Sequence, residues 1–408
     1  MYKLIVNGNI QISETNRKLI DFLREDLSQT SVKNGCKEGA CGTCMVLIDG
    51  KPCKSCVQEL KNLEGKSIVT VEGLSAREKD VYSYSFSVSG AVQCGFCTPG
   101  TVISAKALLD REKDPTRKDV KNAIKNNICR CTGYKKIEDA VLLAAKMFRE
   151  DLPVPKDHYT GRVGENVPRT DAAAKVLGTA QYAADIKIDG MIYGSALRAE
   201  YPRAIVRSID TSEAMKLEGV VGVFTAKDIP GKKKIGHLVK DWDVMIPEGG
   251  STRYVGDAIA LVAAETPEIL EEAKKLIKVD YEVLKPVTSP VEALAEGAPL
   301  IHEGGNILSV VELKRGNADE AIKNSAHVVT NRYSLPFTEH AFLEPETAVA
   351  LMEDDGTVRI YSADQGVYQT MKECSEALGL PHEKVRVTAV MIGGGFGGKE
   401  DMSVQHHA

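Results

Sequence analysis

Gly35-Cys36-Lys37-Glu38-Gly39-Ala40-Cys41-Gly42-Thr43-Cys44, with Cys56 beyond it, decides how the first part of this 408-residue chain is read. The spacing Cys-x4-Cys-x2-Cys followed by a distant fourth cysteine is that of a plant-type 2Fe-2S centre, in which four thiolates converge on two irons. Gly35, Gly39 and Gly42 let the loop fold tightly and bring backbone N–H groups to the sulfurs, where they favour the reduced state. A structural zinc site or free thiols is the alternative. Zinc sites usually pair two short Cys hooks, whereas here three ligands share one glycine-rich loop. Cys53 fits neither pattern and reads as a bystander.

Working outward, residues 1–75 form a small α+β unit. Lys3 to Val6 and Gln11 to Ser13 are strand candidates around the turn Asn7-Gly8-Asn9, and Cys44 to Ile48 and Pro52 to Val57 flank Asp49-Gly50. Asn16 to Ser28 has helical spacing, capped by Thr15 or Asn16, and Ser67 to Val71 supplies a closing strand. Residues 76–150 turn helical. Thr98 reads as an N-cap before Pro99, leading into Val102 to Leu109. Further helices are expected from Arg117 or Lys118 to Asn126 and from Ile137 to Arg149.

Cys94-x2-Cys97 precedes the first of these helices and Cys129-x-Cys131 follows the second. Four thiols at helix ends suit zinc or a second 2Fe-2S cluster. The first cluster next door favours the second, because two adjoining redox centres make an electron relay. Nine of the ten cysteines lie between residues 36 and 131, with only Cys374 beyond. That crowding suits metal ligands better than disulfides.

Residues 151–168, with Pro153, Pro155 and Pro168, read as a linker. Beyond it strands and helices mix: a buried strand at Ala258 to Ala263, an amphipathic helix at Glu268 to Ile277 and a strand at Ile277 to Tyr281. After a break near Gly304 to Asn306 come a helix at Met371 to Leu378 and a strand at Lys384 to Ile392. The 52 basic and 57 acidic residues leave a net charge of −5, which argues against nucleic acid or an anionic membrane as partner. No apolar run approaches a membrane span, and Met1 to Gly8 turns polar too soon for a secretory leader. A cytoplasmic location is expected.

Gln93-Cys94-Gly95-Phe96-Cys97-Thr98-Pro99-Gly100 and Cys129-Arg130-Cys131-Thr132-Gly133-Tyr134, behind the first cysteine loop, resemble the iron–sulfur half of the xanthine oxidase family of molybdenum hydroxylases. Tyr254-Val255-Gly256-Asp257, His340-x3-Glu344-Pro345-Glu346, Gln365 and Gly393 to Glu400 continue the resemblance in that family's order. It implies an α+β multidomain chain: a β-grasp ferredoxin-like 2Fe-2S domain (1–75) and a helical-bundle 2Fe-2S domain (76–150). A linker (151–168), an α/β hammerhead-like domain (169–290) and the first part of a molybdopterin-binding domain (291–408) follow.

By the same resemblance, Cys36, Cys41, Cys44 and Cys56 ligate one cluster and Cys94, Cys97, Cys129 and Cys131 the other. Gln93 and Cys131 approach the pterin. Gly394, Gly395 and Gly397 bring backbone N–H groups to the cofactor, Phe396 walls the substrate pocket, and Gln365 bonds a molybdenum oxygen ligand. The implied reaction is a hydroxylation with water as oxygen source, and the electrons leave through both clusters to an external acceptor.

The glycine loop has rival readings. Gly393 to Lys399 matches Gly-x4-Gly-Lys, but Glu400 replaces the Ser or Thr of a phosphate loop. It also matches Gly-x-Gly-x-x-Gly, without a following βα unit. Glu400 occupies the position of the carboxylate that purine-oxidising members use; a surface glutamate is the plainer reading. His340 with Glu344 suggests a metal pair, though a loop beside Pro345 fits better, and His406-His407 reads as surface.

The resemblance implies no FAD domain in this chain, hence a separate flavoprotein subunit or electron carrier, and a homodimer is compatible with it. It also places the catalytic base beyond residue 408. The expectation is an incomplete catalytic unit for a purine or related N-heterocycle. The alternatives are an aldehyde oxidoreductase of the same architecture or, if the chain ends at Ala408, a noncatalytic electron-transfer module.

Overall fold

Asn7 and Gly8 take left-handed backbone at φ 50° and 83°, the geometry a two-residue hairpin turn requires. They join β1 (Tyr2–Val6) to β2 (Asn9–Ser13) with Val6 opposite Asn9. Asp49 and Gly50, at φ 47° and 77°, do the same for β3 (Met45–Ile48) and β4 (Lys51–Lys54). With β5 (Ser67–Val69), which runs parallel to β1, the sheet order is β2-β1-β5-β3-β4. Leu4, Leu19, Phe22, Leu23, Val46 and Ile68 bury its inner face. The computed structural model describes residues 1–155 and 159–408; residues 156–158 of the expected linker lie outside the described residues.

The helix expected over Asn16 to Ser28 is shorter. One helical turn at Leu19–Asp21 passes into a π turn at Phe22–Asp26, closed by the Leu27 N–H on the Phe22 carbonyl. Neither Thr15 nor Asn16 caps it. The flanking residue is Lys18, and the Asn16 side chain instead accepts the Lys61 N–H at 3.0 Å.

Four helices follow: α1 (Ala76–Val88), α2 (Thr98–Arg111), α3 (Arg117–Ile124) and α4 (Lys135–Arg149). Ser75 and Glu78 close a capping box on α1, and Thr116 and Asp119 another on α3. Thr98 is the first helical residue of α2 rather than its cap; Cys97 flanks the helix and makes no capping bond. Val81, Phe86, Val102, Ile103, Val120, Ile137 and Val141 form the core of this bundle.

Beyond residue 170 a three-stranded antiparallel sheet centres on Ala258–Ala264, between Tyr193–Arg198 and Val220–Thr225, with the helix Pro267–Leu276 packed on it. Ala204–Asp210 and Lys278–Val283 pair as a separate ribbon. A third sheet joins Ala348–Met352, Val358–Ser362 and Val385–Ala389, the last two parallel and connected by the helix Val367–Leu378. The strand expected to reach Ile392 stops at Ala389, because Met391 pairs instead with Tyr182. No described helix is long and apolar enough to cross a membrane.

Candidate active site and its cysteine centres

The first cysteine loop depends on left-handed backbone at Lys37, Gly39 and Gly42. This turns the N–H groups of Glu38 and Cys41 onto Cys36 Sγ, each at 3.4 Å. Burial raises the Cys36 thiol, but those donors hold it down at about 7. Cys44 is pushed up to about 12 by burial, and its sulfur faces Cys56. The four thiols therefore stand as two pairs, Cys36 with Cys41 and Cys44 with Cys56. Cys53 lies on β4 opposite Val46, outside both pairs.

In the second set, Cys131 meets both Cys94 and Cys129, and Cys129 also meets Cys97. Hydrogen bonds from neighbouring thiols draw Cys94 and Cys129 toward thiolate. Cys97 and Cys131 are held high by the same bonds and by burial. Thr132 Oγ1 donates to Cys129 Sγ at 3.1 Å. Four sulfurs sharing protons in this way form a set in which metal replaces protons. Among the described residues, no group of three or more His, Cys, Asp or Glu side chains closes around a single ion. Paired thiols suit a two-iron centre better than one zinc.

The two sets are joined through backbone. The Ile128 N–H, next to Cys129, donates to the Cys41 carbonyl at 2.8 Å. The second set in turn abuts the glycine loop: a Cβ at Gly393 would sit 2.9 Å from the Phe96 ring, between Cys94 and Cys97.

That loop is anchored from behind. Glu344 Oε2 accepts from Lys399 Nζ at 2.7 Å and from the Gly393 N–H at 2.6 Å, with both side chains fully buried. Burial pushes Glu344 above the ordinary carboxylate range, against the pull of Lys399. Lys399 also lies 4.7 Å from the Phe342 ring centroid. Gln365 Oε1 accepts the N–H groups of Gly397 and Lys399 at 3.1 and 3.3 Å. A Cβ at Gly395 would fall 2.2 Å from that oxygen, so only glycine allows the approach. No acceptor among the described residues takes the N–H of Gly394, Gly395 or Phe396. Those donors, beside glycines without Cβ atoms, fit a cofactor rich in oxygen and nitrogen acceptors.

Gln365, Gly394, Gly395, Phe396 and Gly397 thus come together. Phe396 takes φ 57° and is half exposed. Glu400, three residues beyond Gly397, is 57 % exposed, with Oε1 4.0 Å from His237 Nε2. Gln93 is exposed, and its carbonyl accepts from Lys175 Nζ at 3.1 Å. A cavity of about 720 Å³ beside Arg198, Glu346 and His407 includes none of these loop residues.

His340 and Glu344 make no metal pair, since the His340 ring packs against Gly398 while Glu344 turns inward to Lys399. His406 and His407 are not free surface. Their rings lie 4.1 Å apart and burial lowers both. Asp257 closes its own turn by accepting the Arg253 and Tyr254 N–H groups. The buried Glu344–Lys399 pair is the feature that sequence reasoning missed. Its only signal was a lysine and a glutamate adjoining motifs already singled out.

Four family models match the chain: a 2Fe-2S iron-sulfur cluster binding domain over residues 9–81, a 2Fe-2S binding domain over 70–142, the a/b hammerhead domain of aldehyde oxidase and xanthine dehydrogenase over 177–285, and a molybdopterin cofactor-binding domain over 301–408. The aldehyde oxidoreductase of Megalodesulfovibrio gigas is 36% identical over 97% of this chain and 46% of its own length. The nicotinate dehydrogenase small FeS subunit of Eubacterium barkeri is 42% identical over 36% of this chain and 98% of its own length. The solved aldehyde oxidoreductase from Desulfovibrio gigas superposes with a TM-score of 0.92 at 33% identity, covering all of this chain and 47% of that one. The chain spans about half the length of the aldehyde oxidoreductases it matches.

Proposed function

Because this chain belongs to the xanthine oxidase family of molybdenum hydroxylases, with two 2Fe-2S-binding domains and a molybdopterin-binding domain, we propose that it supplies the electron path and part of the substrate pocket of an enzyme that hydroxylates a purine or related N-heterocycle. The observation that carries the substrate class is Glu400, an exposed carboxylate at the end of the loop bearing Phe396. Ionised, it accepts ring N–H groups, and protonated it donates to a ring nitrogen.

The bound molybdenum group and the two clusters supply the redox chemistry, with water as the oxygen source. Cys36, Cys41, Cys44 and Cys56 hold one cluster, and Cys94, Cys97, Cys129 and Cys131 the other. Gly394, Gly395 and Phe396 present N–H groups to the cofactor, and Gln93 and Cys131 border its pterin. Gly397 lets the chain turn at φ 90°. Gln365, its oxygen occupied by the loop, keeps its amide nitrogen to donate to an oxygen ligand. Phe396 walls one side of the substrate. Electrons leave to a separate flavoprotein or soluble carrier.

An aldehyde substrate is the second reading, favoured by the match of nearly all of this chain to about half the length of aldehyde oxidoreductases. The test uses the natural gene product, assayed with xanthine, hypoxanthine and benzaldehyde. Glu400→Ala should lower kcat/KM for the purines by about 10–100-fold, the worth of one charge-assisted hydrogen bond. Benzaldehyde turnover should stay unchanged. Equal losses on both substrates remove the role of Glu400, and turnover of benzaldehyde alone establishes the aldehyde reading.

A further inference from the structure

One short segment, residues 178–185, touches all three cofactor-bearing regions. Asp185 Oδ1 accepts from Arg24 Nη2 at 2.8 Å and Oδ2 from Lys33 Nζ at 2.6 Å, with all three side chains less than a tenth exposed. Arg24 also donates to the carbonyls of Val32 and Ala184. Lys33 in turn borders the first cysteine loop. Its backbone exchanges bonds with Thr43, whose hydroxyl lies 3.2 Å from Cys41 Sγ. Gly178 packs so closely on Ser31 that a Cβ would meet Ser31 Cα at 2.4 Å.

Tyr182 faces the second set. Its hydroxyl donates to the Cys94 carbonyl at 2.7 Å, and its ring meets Phe96 edge-on at 5.2 Å between centroids. Lys33 Nζ lies 4.6 Å from the same ring. The Gln181 carbonyl accepts the Met391 N–H at 3.2 Å, two residues before the glycine loop. Asp185 Oδ2 also accepts the Tyr182 N–H at 3.1 Å, so the turn is closed on itself.

Two cations and one carboxylate buried together are a poor way to add stability, because apolar packing of the same volume does as well or better. What they add is directional: each bond fixes one unit's position against another. We infer that the turn Gln181–Asp185 is a clasp that holds the two iron–sulfur units and the glycine loop in register, with Asp185 and Tyr182 as positioning residues for electron passage between the centres. This rests on the proposed function only for the identity of the centres.

The test uses the natural gene product with its iron loaded, reduced by dithionite so that no substrate is needed. Asp185→Ala and Tyr182→Leu should keep about four irons per chain. The magnetic coupling between the two reduced centres, read by electron paramagnetic resonance, should weaken and spread. Electron passage between the centres after rapid mixing should slow by at least tenfold. Asp185→Glu should restore part of both. Unchanged coupling and rate in both variants overturn the clasp. Where Asp185→Ala fails to load iron, Asp185→Asn combined with Lys33→Met removes one charge of each sign and leaves side chains of similar size. Normal coupling in that double variant also overturns the clasp. Weakened coupling in the variants, together with no purine turnover by the unsubstituted protein, leaves the clasp standing and refutes the substrate reading alone.

Discussion

Asn127 and Gly42 join the two iron–sulfur units: Asn127 Nδ2 donates to the Gly42 carbonyl at 3.0 Å, while its Oδ1 accepts from Ser104 Oγ on α2 at 2.7 Å. Asn127 is buried, so Asn127→Ala strands both partners. It should cost about 1–3 kcal/mol in denaturant unfolding. Gly42→Ala is more severe. The backbone sits at φ 73°, and a Cβ would meet the Asn126 carbonyl oxygen at 2.0 Å. Iron analysis should show Gly42→Ala losing the first centre while the second remains. Full iron loading in that variant would show that the two units do not need this approach.

Lys399→Met leaves Glu344 buried with the Gly393 N–H as its remaining partner. Breaking a buried ion pair from one side costs about 3–5 kcal/mol. The double variant with Glu344→Gln should recover much of that loss. A double-mutant cycle on thermal or denaturant unfolding measures the coupling, and additive losses would dissolve the pair as a unit.

His407 gives a pH signature. Burial, aided by the Arg198 charge, lowers it to about 4 from 6.5, and its Nε2 lies 3.5 Å from the Val244 carbonyl. Between those values the unfolded chain binds the extra proton and the folded chain does not, so stability rises with pH. Acidifying from 6.5 to 4 should therefore remove up to about 3 kcal/mol. His407→Gln should flatten the dependence of Tm on pH over that window. An unaltered slope would locate the titration elsewhere, His406 first.

Residues 307–337 expose apolar side chains in sequence, with Leu313, Leu335 and Phe337 each more than nine-tenths exposed. Contiguous exposed apolar surface favours association. The 408-residue chain should bind a hydrophobic dye and self-associate in sedimentation. Leu335→Ser with Phe337→Ser should reduce both, and an unchanged profile would place the sticky surface elsewhere.

Local chemistry made much of this molecule legible from sequence. The two hairpins are announced by Asn7-Gly8 and Asp49-Gly50, whose residues accept left-handed backbone, while spacing groups the thiols but leaves the second group open between zinc and a two-iron centre. The helix at 16–28 was overdrawn because its apolar period continues through a π turn, which sequence periodicity does not register. Arg24 inside that turn points to Asp185, 161 residues away. Glu344 and Lys399 lie 55 residues apart, and Tyr182 and Cys94 lie 88. No spacing rule couples such residues, so the ties between regions emerged only in three dimensions. His406-His407 was misjudged because polarity suggests solvent, whereas the fold covers both rings.

The hydrogen bond from Ile128 to the Cys41 carbonyl has a meaning for gene rearrangement. A recombination breakpoint between codons 57 and 93 would keep each thiol quartet whole but part the first from the peptide that completes its loop, and each product would carry half of a bimetallic cassette. A breakpoint downstream of α4 leaves that cassette whole. The segment ending at Asp185, which also keeps the bonds to Arg24, Lys33 and Cys94, is therefore the unit to transplant onto a foreign catalytic partner.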